Sequence, residues 1–266
     1  MKTIQLSLES INKPHIRSSD EILQAIQKLI SYHKSGLLGG EQMPEDANPS
    51  LDKSSKDSFH YFTLPMALNY QRNSYKLWES ALLTYNDIQT RFVFMPEKVV
   101  CATEEDLRFA LTKYKVALQP NRHVAIWRVI CETLVNRYQA DIRNLFILKE
   151  YDICSILEEV QIKNKKGFPY LSGQKIANYW LYVMLQYTTS QLKNRHCLSI
   201  APDTHVIQAS IMLGLVEEKD DQNSLRSVVA NSWEKILTGS ELCPIDVHTP
   251  LWLWSRRGFT PNIYSE

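Results

Sequence analysis

The chain of 266 residues is poor in glycine, with 8 in all, and carries no Gly-x-Gly-x-x-Gly, Walker A or Gly-x-Ser-x-Gly pattern. A glycine-rich β-barrel, an extended nucleotide-binding loop and a nucleophile elbow are thereby excluded. Cys-x-x-Cys is absent as well. The five cysteines, Cys101, Cys131, Cys154, Cys197 and Cys243, are scattered and odd in number. A zinc ribbon, a thioredoxin-type pair or a clustered iron–sulfur centre is left without ligands. The seven histidines show no His-Glu-x-x-His or other paired spacing, so neither a metal site nor a cofactor is expected. The longest apolar run, 179–185, falls far short of the ~20 residues of a membrane span. The opening MKTIQLSLESINK lacks the apolar core of a secretion signal. The expectation is an intracellular, reducing compartment with five buried or idle thiols. An excess of one charge is lacking too: Lys+Arg 30 against Asp+Glu 29 leaves +1. Any nucleic-acid site has to be local.

What is present is an ordinary globular composition, with 44% hydrophobic and 22% charged residues, sufficient for one large domain or two small ones. Helical periodicity dominates it. Ser18-Ser19-Asp20-Glu21 reads as a capping box ahead of the stripe Ile22, Ile26, Leu29 and Ile30. Residues 35–58 hold Gly36, Gly39, Gly40, Pro44, Pro49 and five serines, which predicts a loop. Helices are predicted at 59–70 and 74–90, from Thr103-Glu104-Glu105-Asp106 onward, and at 121–138, 150–161, 174–190, 204–213, 224–237 and 246–256. Alternating strand patterns are nearly absent. The predicted class is all-α, with roughly ten helices.

Local charge says more than the total. Residues 160–202 contain no acid but hold Lys163, Lys165, Lys166, Lys175, Lys193 and Arg195, the pattern of a phosphate-backbone footprint. Within this window lies 168–178, with sequence FPYLSGQKIAN. A helix ending near 161, a tight Pro/Ser/Gly turn and an apolar helix with Lys175 in its first turn make a recognisable helix, turn, helix unit. The start of that second helix favours a phosphate. It disfavours an ammonium, and so favours the neutral amine that a nucleophile needs.

Twenty-eight residues beyond Lys175 comes Ala201-Pro202-Asp203-Thr204-His205-Val206. Asp203 reads as a helix N-cap, or as a carboxylate held by helix-start amides and aimed at a substrate. On these residues the chain resembles the helix-hairpin-helix (HhH-GPD) DNA glycosylase superfamily, which includes endonuclease III and the 8-oxoguanine glycosylases. The family's hairpin and catalytic lysine are matched by Leu171-Ser172-Gly173-Gln174-Lys175, and its aspartate loop by Pro202-Asp203-Thr204-His205-Val206. Its base-gap glutamine is matched by Leu68-Asn69-Tyr70-Gln71. The hairpin departs from the usual Gly-x-Gly, since Leu171 stands first. The spacing from Lys175 to Asp203 resembles most the archaeal 8-oxoguanine branch, and the four-cysteine cluster of endonuclease III is missing. Pro244-Ile245-Asp246-Val247-His248 is a rival for the aspartate motif. It lies 71 residues from Lys175, so Asp246 is expected to cap a helix, and His205 and His248 to be structural.

The resemblance implies two helical subdomains with a cleft between them: a central bundle over 60–198 and a second formed by 1–59 with 199–266. It implies a monomeric, bifunctional glycosylase and AP lyase acting on double-stranded DNA with a damaged base, 8-oxoguanine first. Such an enzyme would be cytoplasmic and nucleoid-associated, or nuclear, with no membrane partner. Lys175 and Asp203 would be catalytic. Gln71, Lys163, Lys165, Lys166, Leu171, Ser172, Gly173 and Gln174 would contact DNA. The alternatives are a nucleoside or nucleotide N-glycosidase on the same scaffold, and a non-catalytic DNA-binding protein.

Overall fold

The computed structural model describes residues 15–39, 43–200, 202–218 and 221–264. Among them the chain is all-α, with twelve helices and no strand. In order these are α1 (Ser19–Lys34), α2 (Lys56–Ala67), α3 (Ser74–Asn86), α4 (Pro96–Cys101), α5 (Glu104–Thr112) and α6 (Pro120–Tyr138). There follow α7 (Ile142–Leu148), α8 (Ile153–Glu158), α9 (Gln174–Tyr187), α10 (Thr204–Met212), α11 (Gln222–Leu237) and α12 (His248–Arg256). Caps that are legible in the sequence set several starts. The Ser18 backbone N–H donates to Glu21 Oε2 at 2.8 Å while the Glu21 N–H returns to Ser18 Oγ, and Thr103 Oγ1 accepts from the Asp106 N–H at 3.0 Å. Each such cap is worth about 1 kcal/mol.

Two compact units divide the chain, one of Met1–Gly40 with Ser199–Glu266 and the other of Glu41–Leu198. In the smaller unit Ile22, Ile26 and Leu29 of α1 share a core with Val206, Leu213, Trp233 and Trp254. Each such burial is worth about 1.5–3 kcal/mol. The indoles are satisfied: Trp233 Nε1–H donates to Ser210 Oγ at 2.9 Å and Trp254 Nε1–H to the Pro261 carbonyl at 2.9 Å. Gly214 is needed where it stands. Its φ is +75°, and a Cβ there would collide with the His15 carbonyl. That close approach lets Arg17 donate to the carbonyls of Gly214 (3.0 Å) and Leu213 (2.8 Å).

The larger unit is built on α2, α6 and α9. Trp180 Nε1–H donates to Thr63 Oγ1 at 3.2 Å, and Trp127 Nε1–H to the Val93 carbonyl at 2.8 Å. His60 is buried with both ring nitrogens used, against the Phe94 carbonyl (3.0 Å) and the Ile142 N–H (3.2 Å), and burial pushes its pKa down to about 4. The sequence reading grouped 35–58 with the N-terminal segment and set the boundary at 59–60. From Met43 onward this stretch belongs to the larger unit instead, because tyrosines of the bundle reach out to it. Tyr61 donates to the Ala47 carbonyl (2.7 Å), Tyr179 to Glu45 Oε1 (3.0 Å) and Tyr187 to Asp46 Oδ1 (2.8 Å). A second difference concerns the thiols, which were expected to be idle. Cys154 and Cys197 are joined by a disulfide, brought together by the bridge that pairs Asp152 with Lys193.

Candidate nucleic-acid interface

The predicted helix over 150–161 is observed as α8, which runs into a π-helical turn at Glu159–Lys163 closed by the Asn164 N–H on the Glu159 carbonyl at 2.7 Å. Buried Glu159 shapes this turn, taking Lys149 Nζ at 2.7 Å and Tyr138 OH at 3.2 Å. The chain then folds through Lys165–Gly167. Gly167 sits so tightly on α6 that a Cβ would lie 2.7 Å from Thr133 Oγ1. The hairpin follows: the Ser172 N–H reaches the Phe168 carbonyl at 2.9 Å and the Gly173 N–H the Tyr170 carbonyl at 3.0 Å, with Tyr170 at φ +63°. Phe168 and Leu171 are fully buried and Ser172 nearly so. Leu171 and Ser172 are therefore turned inward, and their N–H groups are used inside the turn, that of Leu171 on the Pro169 carbonyl at 2.8 Å and that of Ser172 on the Phe168 carbonyl.

Gly173 ends the hairpin and opens α9, and no side chain caps this helix. Gly173, Gln174 and Lys175 are exposed there, at the end where the helix dipole is positive. The helix is held from behind by Ile176, Ala177, Trp180 and Leu181, all buried. Four residues on from Lys175, and hence on the same side of α9, Tyr179 binds Glu45. That carboxyl is 2% exposed, and burial raises its pKa to about 7. Nothing in the Pro44-Glu45-Asp46 turn announced this role, since the partner lies 134 residues away.

Gln71 was expected at the end of a helix. It lies instead in the bend between α2 and α3, exposed and left-handed at φ +45°. This bend is attached to the hairpin: Tyr170 OH donates to the Asn69 carbonyl, and the Tyr70 and Tyr170 rings meet edge to face at 5.6 Å. The guanidinium of exposed Arg122 stands 4.5 Å over the Tyr70 ring. Arg72 donates to the carbonyls of Val116 (2.7 Å) and Lys115 (3.0 Å) and so fixes the bend to the α5–α6 connection. Gln71, the hairpin and the first turn of α9 thus form one neighbourhood within the larger unit. Arg122 and Tyr170 belong to it and carried no sequence signal of their own. The lysines divide. Lys165 and Lys166 are exposed, whereas Lys163 pairs with Glu158 at 2.8 Å.

In the smaller unit Asp203 is half-buried and caps α10, its Oδ1 accepting the Val206 N–H at 3.0 Å. Asp246 lies in the turn Pro244–Val247, where its Oδ2 takes the Cys243 N–H at 2.9 Å. His205 ties α10 to α12 through Ser255 Oγ at 3.2 Å and packs edge-on against Trp252. Trp252 also lies under the Arg256 guanidinium at 4.5 Å. Among the described residues no helix is long and apolar enough to cross a membrane.

By sequence, no family model and no curated protein matches this chain. By structure, the chain is similar to that of a trapped endonuclease III–DNA covalent intermediate, an estranged-adenine complex. The TM-score is 0.57 over 91% of this chain and 88% of that one, with 13% identity. The likeness is one of fold, and the all-α arrangement extends over nearly the whole of both chains.

Proposed function

We propose that this chain is a DNA glycosylase with AP lyase activity that excises an oxidised base, 8-oxoguanine first, from duplex DNA. The observation that carries the reading is the neighbourhood in the larger unit: an uncapped α9 with Lys175 in its exposed first turn, beside a bend that presents Gln71. The N–H groups at the start of α9, with Lys165, Lys166 and Arg122, would grip phosphates without reading sequence. Gln71 would fill the gap left by the extruded base, whose loss from the stack costs a few kcal/mol.

As the glycosidic bond breaks, the electron pair leaves with the base and positive charge develops on the sugar, as in glycoside hydrolysis. The Asp203 carboxylate, fixed by the start of α10, would stabilise that charge. Neutral Lys175 Nζ would bond to C1′. Opening of the sugar ring gives a Schiff base, and loss of a C2′ proton then expels the 3′ phosphate.

Borohydride tests this. It should trap the protein covalently on DNA with an 8-oxoguanine or abasic site, and Lys175→Gln should abolish the trapped species. Undiminished trapping by that variant would refute the assignment of the lysine.

A further inference from the structure

Cys154, His196 and Cys197 form a cluster that the proposed reaction does not use. Their two sulfurs and an imidazole nitrogen lie within 4.8 Å of one another. A disulfide needs only the sulfurs, and the imidazole has no part in it. Two thiolates and an imidazole are, by contrast, three of the four donors of a tetrahedral zinc site.

The backbone holds these donors from both sides. Asp152 Oδ1 caps α8 through the Ser155 N–H at 2.7 Å. The Ile153 N–H donates to the Lys193 carbonyl (3.2 Å) and the Lys193 N–H to the Tyr151 carbonyl (2.8 Å), so the start of α8 and the turn Arg195–Cys197 are laid side by side. The other Asp152 oxygen accepts from the Asn194 side chain. His196 is exposed, which gives the ion an entry path and leaves water room as fourth ligand. The exposed thiol of Cys101 also fits a reducing environment, where such a group escapes mispairing.

We propose that in the reduced chain Cys154, His196 and Cys197 bind one zinc ion, and that zinc and the disulfide are alternative occupants of the same two sulfurs. The conversion balances. A small dithiol reductant gives two electrons and two protons to the disulfide and becomes a disulfide itself. Zinc then displaces the two thiol protons into solvent as it takes both thiolates and the neutral imidazole. The ion would pin the Arg195–Cys197 turn to α8 immediately before Leu198, the last residue of the larger unit.

The test uses the full chain, reduced with a dithiol and freed of it without air. Zinc is titrated against a chromophoric chelator, and cobalt is used as a spectroscopic stand-in. One zinc per chain is expected, with thiolate-to-cobalt charge transfer, tetrahedral d–d bands and a raised Tm. His196→Gln, at an exposed position, should weaken zinc by about tenfold or more, since even loss of an outer-shell partner costs that much. It should still form the disulfide on oxidation. Cys197→Ser should lose both zinc and disulfide. The proposal is overturned if the reduced chain takes up no zinc, if His196→Gln binds it undiminished, or if the sulfurs reoxidise equally fast with stoichiometric zinc present.

Discussion

The two helix starts to which the proposed chemistry is assigned are built in opposite ways. Helix α9 begins at a glycine with no side-chain cap, and Lys175 follows in its first turn. Helix α10 begins at an aspartate whose own carboxylate closes it. A start without a side-chain cap can receive an outside anion or present a neutral amine. A start closed by its own carboxylate instead aims that carboxylate and holds it ready for positive charge. The same local physics, read in two directions, would supply a nucleophile in one unit and a stabilising charge in the other.

That contrast breaks first at Asp203. Asparagine caps as well as aspartate does, so Asp203→Asn should keep its Tm and its DNA affinity. Its rate of base excision should fall by about 10²–10³-fold, the cost of removing one preorganised charge-stabilising group. Single-turnover assays on an 8-oxoguanine duplex read the difference. If Asp246→Asn is the inactive variant and Asp203→Asn cuts normally, the carboxylates have been assigned the wrong way round.

Next comes the anchor behind Lys175. Glu45 has a folded pKa raised to about 7 from 4.5. Its contribution is thus fully present below pH 4.5 and is lost as pH rises through 7. His60 has the opposite sign: its folded pKa is lowered to about 4 from 6.5, so its contribution is present above pH 6.5 and lost as pH falls toward 4. Glu45→Gln should flatten the decline between pH 4.5 and 7, a slope of up to about 1.4 kcal/mol per pH unit. Denaturant unfolding across that range, for variant and parent alike, measures it. An unchanged slope would mean that Glu45 ionises normally.

Converting one start into the other sharpens the comparison. Gly173→Asp would give α9 a carboxylate of its own and set a negative charge where phosphate is proposed to bind. It should weaken every duplex by about 1 kcal/mol or more, beyond the effect of Gly173→Ala, which controls for the Cβ that lies 3.2 Å from the Tyr170 carbonyl. Equal affinities in the two variants would argue against phosphate at this helix start.

The smallest effect concerns the lysines. Lys165→Gln and Lys166→Gln should each lower the slope of log affinity against log salt by about 0.9. Lys163→Gln should change it less, because Glu158 already offsets that charge. Filter binding over a salt series on undamaged DNA is sufficient to test this. A slope that responds only at Lys163 would reverse the ranking.

Helix starts were the most legible part of this molecule, because a cap is a contact over three residues: Ser18 with Glu21, and Thr103 with Asp106, could be read directly. The apolar stripes gave the helical class for the same reason of short range. What stayed hidden was either too short or too distant. Helices α4 and α7 have only 6 and 7 residues, fewer than two turns, so no periodicity can develop. The docking of 43–58 depends on tyrosines at Tyr61, Tyr179 and Tyr187, and the Cys154–Cys197 pair spans 43 positions. Of the candidate residues, Lys175, Asp203 and Gln71 could be picked out from motifs. Arg122 and Tyr170 could not, because what distinguishes them is the ring contact at Tyr70.

The smaller unit takes α1 from one side of the larger unit in sequence and α10, α11 and α12 from the other. This has a kinetic consequence. During synthesis the uninterrupted stretch 41–198 can collapse as soon as it emerges, whereas Ile22, Ile26 and Leu29 must remain exposed until Trp233 and Trp254 have been made. Closing that long loop is entropically dear but grows only slowly with length, and the early-folding unit shortens it by holding its own two ends in a compact body. Folding should therefore be sequential, with the apolar stripe of α1 the surface most in need of protection while the ribosome is still at work.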